Sequence, residues 1–167
     1  MGDHLRWMNI ALSEAQSGKR WSSIEASLRI ARDKEGYRTD APYDIEGMVR
    51  TVYDTCIKTE GPKNASEWID IAMREARSGT LWGSIQTSIN IANDYARESG
   101  IELDEGQILQ IRGTYQQGIK KFGLQHSAKW LRIAAEEFEK GVPISSIEIS
   151  LRIAGNYARE AGKPLPF

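Results

Sequence analysis

The stretch Trp21-Ser-Ser-Ile-Glu-Ala-Ser-Leu-Arg-Ile-Ala31 decides the fold, because it occurs twice more in this chain of 167 residues. It returns as Trp82-Gly-Ser-Ile-Gln-Thr-Ser-Ile-Asn-Ile-Ala92 and again as Ile144-Ser-Ser-Ile-Glu-Ile-Ser-Leu-Arg-Ile-Ala154. The copies begin at positions 21, 82 and 144, so the spacing is 61 and then 62 residues. A long repeat at an almost constant period indicates duplication of one structural unit.

A shorter segment upstream repeats in the same way. Trp7-Met-Asn-Ile-Ala11 matches Trp68-Ile-Asp-Ile-Ala72 and Trp130-Leu-Arg-Ile-Ala134. Apolar residues recur three and four positions apart in both segments, which is the period of an amphipathic helix. No stretch shows the alternation of apolar and polar residues that is typical of a strand.

The repeat predicts an all-α fold of three tandem helical units with internal pseudo-symmetry, packed as an array or bundle within one compact domain. The units are residues 1–62, 63–125 and 126–167, called repeats 1, 2 and 3 below. Repeats 1 and 2 each contain three predicted helices. Repeat 3 contains two, since the sequence reaches Lys163-Pro-Leu-Pro-Phe167 where its third helix is expected. Eight helices are therefore predicted.

Glycines and capping residues predict where these helices begin and end. Asp3 and Asn64 are predicted N-caps of first helices, and Ser22-x-x-Glu25 and Ser145-x-x-Glu148 have capping-box spacing at the second helices. Glycine is the usual residue just past a helix end. The predicted terminators are Gly18, Gly79 and Gly141 for first helices, Gly36, Gly100 and Gly162 for second helices, and Gly61 and Gly123 for third helices.

Composition argues against several classes of protein. The chain has 22 Lys and Arg against 23 Asp and Glu, a balance that favours neither nucleic acid nor an anionic membrane. Its single cysteine, Cys56, excludes an internal disulfide and indicates a reducing, cytoplasmic setting. No apolar run is long enough for a signal peptide or a membrane span, so no membrane contact is expected.

Three sets of polar or aromatic residues recur in all repeats, and we interpret each set as structural. The serines are expected to be small contact residues that bond to the preceding helical turn. The glutamates are expected to accept hydrogen bonds from the start of the second helix, at Ser23, Ser84 or Ser146. The tryptophans are expected to pack in the core. The sets are Ser27, Ser88 and Ser150; Glu14, Glu75 and Glu137; and Trp7, Trp68 and Trp130.

No local motif predicts a metal, a cofactor or a catalytic residue. The two histidines, His4 and His126, lack the spacing of a zinc or di-iron site, and the glycines are scattered singly instead of forming a phosphate-binding loop. The favoured hypothesis is a non-enzymatic protein-interaction or scaffold module. An incomplete repeat 3 would leave an apolar groove for Leu165 and Phe167, for a second copy in a homodimer, or for a partner's amphipathic helix. The further alternative is that the chain is a fragment of a longer repeat array.

Two other classes of function remain as alternatives. A nucleic-acid-binding protein would need a continuous basic surface, for which Arg29, Arg32, Arg152 and Arg159 are the candidates. An enzyme would need a deep pocket between the units that holds several polar groups.

Overall fold

A computed structural model of the chain describes residues 2–34 and 44–166, and this part of the chain is entirely helical. It contains six helices and no strand. The all-α prediction is therefore confirmed. The helices are α1 (Asp3–Gln16), α2 (Trp21–Arg32), α3 (Ile45–Arg77), α4 (Trp82–Glu98), α5 (Glu105–Glu139) and α6 (Ile144–Glu160).

Two of these helices are much longer than predicted. α3 has 33 residues and α5 has 35, because each joins the third helix of one repeat to the first helix of the next. The predicted ends at Gly61 and Gly123, and with them the count of eight helices, are wrong. Both glycines lie buried inside a helix. A Cβ at Gly61 would lie 2.8 Å from the Cβ of Ser99, and one at Gly123 would lie 2.9 Å from the Cβ of Ala161.

The other glycine predictions agree with the structure wherever it describes them. The glycines after first and second helices have φ between 68° and 83°, the left-handed conformation that ends a helix. Gly36 lies outside the described residues. The glycines concerned are Gly18, Gly79, Gly100, Gly141 and Gly162.

The predicted N-caps are wrong. α2 begins at Trp21 and α6 at Ile144, one residue before the serines of the predicted capping boxes, and neither helix has a side-chain cap bond from its N-cap residue. Asp3 lies in the first turn of α1, whose N-cap is Gly2. Asn64 lies inside α3, where its side-chain amide donates to the carbonyls of Ser17 (3.1 Å) and Gly18 (2.9 Å) at the end of α1.

The chain divides into two compact units, each with its own core. The N-terminal compact unit is Met1–Ile69 with Asn90–Leu103, and Ile24, Leu28 and Val49 are its largest fully buried side chains. The C-terminal compact unit is Asp70–Ile89 with Asp104–Phe167, in which Ile85 and Ile111 are fully buried. The division into three pseudo-symmetric units stays a prediction. Among the described helices, none combines the length and the apolar character needed to cross a bilayer.

Candidate interaction site on the last helical hairpin

The repeated glutamates join the two helices of each hairpin. Glu14 at the end of α1 accepts hydrogen bonds from Ser23 and from Ser27 (2.5 Å for Ser27) on α2. Ser27 is almost fully buried, so a charged acceptor satisfies its hydroxyl where water is absent. The predicted bond from Ser23 is confirmed. The prediction that Ser27 bonds to its own helix is wrong, because its hydroxyl donates to the Glu14 carboxylate instead.

The same bonds recur along the chain. Glu75 accepts from Ser84 and from Ser88 (2.5 Å for Ser88). Glu137 accepts from Ser150, which takes the place predicted for Ser146. In each cluster a carboxylate on one helix accepts from one or two serine hydroxyls on the next, so the clusters hold the hairpins together.

The repeated tryptophans lie at the edge of the cores instead of inside them. Trp7, Trp68 and Trp130 are all half-buried. Trp7 and Trp68 pack against the core of the N-terminal compact unit. These two indole rings therefore contact the core while staying partly exposed, as is usual for so large a side chain.

Two further glutamates, which the sequence reasoning missed, hold a second junction. Glu98 accepts a hydrogen bond from the backbone N–H of Trp21 (2.7 Å) and one from the Tyr53 hydroxyl (2.6 Å). Glu160 does the same for Trp82 (2.8 Å) and Tyr115 (2.6 Å). These carboxylates satisfy the backbone amide of the first residue of α2 and of α4 from outside the helix.

A sequence signal for these glutamates did exist. Both lie in the repeated motif Tyr-Ala-Arg-Glu-x-Gly, at residues 95–100 and 157–162.

Burial, together with the hydrogen bond to the carboxylate, raises the pKa of the Tyr53 and Tyr115 hydroxyls well above that of free tyrosine.

In repeats 1 and 2 the third helix covers the start of the second helix. The rings of Trp21 and Tyr53 are 5.1 Å apart between centroids, and the Arg50 guanidinium lies 4.3 Å from the Trp21 ring. Trp82 and Tyr115 are also 5.1 Å apart, with a guanidinium 4.3 Å from the indole, that of Arg112. Aromatic and cation–π contacts therefore join the third helix to the start of the second helix in both repeats.

The α5–α6 hairpin of repeat 3 has no such cover among the described residues. Residues 161–166, which follow α6, form no helix. Phe138 is 73% exposed, although the matching Ala15 and Ala76 are fully buried, and Ile144 is 68% exposed where half-buried Trp21 and Trp82 stand in the other hairpins. We call the surface formed by Phe138, Ile144, Glu148 and Leu151 the α5–α6 groove.

Other positions along the groove show the same change. Leu28 and Ile89 are buried beneath a third helix, whereas the matching Leu151 is only half-buried. A Cβ added at Gly79 would lie 2.6 Å from the carbonyl oxygen of Gly118, whereas one at Gly141 would meet nothing within 4 Å. An open cavity of about 320 Å³ continues the groove along α6, lined by Glu148, Leu151, Arg152, Gly155 and Arg159.

The two residues predicted to fill the groove are Leu165 and Phe167. Leu165 is half-buried and is not among the residues that line the groove or its adjoining cavity. Phe167 lies outside the described residues. Ile149 is 53% exposed, but it matches Ala26 and Thr87, which are exposed in the covered hairpins as well. Ile149 is therefore an outward position of α6 and not part of the α5–α6 groove.

The four arginines proposed for a nucleic-acid surface differ in their surroundings. Arg32 pairs with both carboxylate oxygens of Glu46 (2.7 and 2.8 Å) and with Glu25 (3.2 Å), so its charge is neutralised locally. Arg159 hydrogen-bonds to the side-chain oxygen of Asn156 (3.3 Å). Arg29 and Arg152 are exposed. Among the described residues, no cluster of three or more His, Cys, Asp or Glu side chains could hold a metal ion.

Comparison with known proteins identifies no relative. The chain matches no family model, no curated protein and no solved structure.

Proposed function

We propose that this protein is a non-enzymatic protein-interaction module whose α5–α6 groove binds an amphipathic helix of a protein partner. The single observation that supports the proposal is the exposure of Phe138 and Ile144 at positions where the other two hairpins are covered by a helix. Large apolar side chains that lie together on a surface are a mark of interaction sites.

The chemistry of the groove suits a helix better than a small ligand. Phe138 and Ile144 are its exposed apolar side chains, and the charged residues of the adjoining cavity provide both signs of charge. A helix that lies in such a groove gains binding free energy by burying its apolar face, about 25 cal/mol for each Å² removed from water.

Cys56 is a free thiol, which supports a reducing, cytoplasmic location.

The test is a titration of the protein, labelled at its isoleucine and leucine methyl groups, with model amphipathic helical peptides of unrelated sequence. We expect the Ile144 and Leu151 methyl signals to shift in a saturable way. The shifts should disappear in Ile144→Glu and persist in Ile149→Glu, the matched variant outside the groove. If no peptide moves these signals and the protein is monomeric by light scattering, the proposal is wrong.

Light scattering also tests self-association. A mass near twice 18.8 kDa that falls to 18.8 kDa in Ile144→Glu would identify a second copy of the chain as the occupant of the groove. The interaction function would then stand, with the homodimer as its form.

A further inference from the structure

The chain contains two examples of a helix that covers such a hairpin, and both have the same buried edge. In repeat 1 the buried positions are Val49, Tyr53, Ile57 and Gly61, and in repeat 2 they are Ile111, Tyr115, Ile119 and Gly123. Each edge places a β-branched residue, a tyrosine, an isoleucine and a glycine four residues apart, and the glycine lies against Ser99 or Ala161, just after the second helix of the next repeat. Residues at this interval form one ridge along a helix, which fits the groove between two packed neighbours.

Two positions of the covering helix meet the hairpin most closely. In repeat 2 the Tyr115 ring lies on Trp82 at the start of the second helix. Three residues later, Gly118 lies against the end of the first helix, where a Cβ would overlap the carbonyl oxygen of Ala76. Repeat 1 has the half-buried Cys56 at this second point, so the covering helix needs a large residue at the first point and a small one at the second.

In repeat 3 the hairpin has a large residue where repeat 2 has a small one, and a smaller residue where repeat 2 has a large one. Ala76 and Trp82 of repeat 2 correspond to Phe138 and Ile144, so the ring stands at the end of the first helix and the aliphatic residue at the start of the second. A partner helix then needs still more space opposite Phe138, and it finds more space opposite Ile144. Arg112, which stacks on Trp82, has no indole to stack on in repeat 3, so an arginine at that position is not required.

We infer that the α5–α6 groove selects a partner helix with a β-branched residue, then tyrosine or phenylalanine at i+4, a small residue at i+7 and isoleucine at i+8. The inference rests on the proposed function and adds the sequence pattern of the partner. A second copy of the chain does not supply it, because both internal examples are buried in their own compact units.

The test uses a synthetic peptide with the sequence of residues 105–124, which carries the full pattern, and the intact protein. We expect this peptide to bind more tightly than unrelated amphipathic helices and to shift the methyl signals of Ile144 and Leu151. Replacing its tyrosine by alanine or its i+7 glycine by leucine should each weaken binding by about tenfold, since each change removes or obstructs a central contact.

A tyrosine-to-phenylalanine peptide separates ring packing from hydroxyl bonding. In repeats 1 and 2 the hydroxyl is bound by Glu98 or Glu160, and α6 is followed by no described helix that brings such a carboxylate. We expect the phenylalanine peptide to bind within about twofold of the tyrosine peptide, because the ring supplies the contact.

The outcomes distinguish the inference from the proposed function. If unrelated helices shift the groove signals and the alanine and leucine peptides bind as well as the parent, the pattern is wrong while the groove remains a binding site. If no peptide shifts the signals of a monomeric protein, both are wrong. A homodimer that closes the groove and excludes the peptide overturns the inference alone.

Discussion

At the scale of single residues, two kinds of glutamate organise the hairpins. One kind, such as Glu14, is bound by serine hydroxyls of the next helix, and the other, such as Glu98, is bound by a backbone amide and a tyrosine hydroxyl. In both kinds a carboxylate accepts hydrogen bonds from donors that would otherwise be buried without a partner. Removing such an acceptor lowers the free energy of unfolding by more than the net contribution of the hydrogen bond, because the donors remain buried without a partner.

Glu98→Ala should therefore lower the free energy of unfolding by about 1.5–3 kcal/mol, because the Trp21 amide and the Tyr53 hydroxyl lose a charged acceptor. Urea denaturation followed by circular dichroism measures the change. Glu102→Ala, at an exposed position nearby in sequence, is the control and should change stability by less than about 0.5 kcal/mol. Equal effects of the two substitutions would show that the junction does not stabilise the fold.

The tyrosines predict a loss of stability at high pH. Burial raises the pKa of Tyr53, Tyr95, Tyr115 and Tyr157, with the glutamate bonds adding to the rise for Tyr53 and Tyr115. A pKa that is higher in the folded state gives stability that is complete below the value of free tyrosine, about 10, and is lost as the pH rises beyond it.

We expect the thermal midpoint to fall between pH 10 and 12, and to fall less in the double variant Tyr53→Phe/Tyr115→Phe. Absorbance at 295 nm should show that four of the six tyrosines ionise late in the native protein. Six tyrosines that titrate together near pH 10, without unfolding, would contradict the buried junctions.

At the scale of helices, the joined helices α3 and α5 are the main departure from the expected architecture. Glycine ends a helix when the chain must enter the left-handed region, as at Gly79, but it also allows two backbones to approach, as at Gly118. Sequence spacing does not separate these uses. The distinction depends on what lies opposite the glycine.

Two glycines of α5 test this distinction within one helix. Gly118→Ala should destabilise the protein by about 2–3 kcal/mol, since its methyl group would overlap the carbonyl of Ala76. Gly113→Ala, exposed and with nothing within 4 Å of its added Cβ, should instead stabilise it by about 0.5–1 kcal/mol through helix propensity. Thermal denaturation of both variants gives the comparison, and shifts of the same sign would contradict the packing described for α5.

At the scale of the whole molecule, the C-terminal compact unit ends in a hairpin whose apolar groove is exposed. Apolar residues that contribute little to the core can be changed without loss of stability. The groove residues should therefore differ from core residues in their effect on folding, although both sets are hydrophobic in sequence.

The double variant Phe138→Ser/Ile144→Ser should keep the free energy of unfolding within about 1 kcal/mol of the parent, because both side chains are mostly exposed. It should also bind less of a dye that fluoresces on apolar surfaces. Ile111→Ser, which changes a fully buried residue of the same compact unit, is the contrasting variant and should destabilise by more than about 2 kcal/mol. A large loss of stability in the groove variant would mean that the groove belongs to the core.

Much of the helical pattern was available from the sequence itself. The period of the apolar residues, the repeated tryptophan segments and the glycines sufficed to predict an all-α chain whose first helices end at Gly18, Gly79 and Gly141 and whose second helices end at Gly100 and Gly162. The bond from Ser23 to Glu14 was also predictable, since both residues lie close together across one tight turn. Such features are local, and local features follow from backbone preferences and helical periodicity.

What only the tertiary structure decided is non-local. Gly61 and Gly123 lie inside helices with Ser99 and Ala161 packed against them, and the first amide of α2 is bound by Glu98 of α4. The exposure of Phe138 and Ile144 likewise depends on which helices lie nearby, and not on the residues themselves. The physical reason is common to all three: burial and hydrogen bonding depend on neighbours that are distant in the chain, which the periodicity of one segment does not specify.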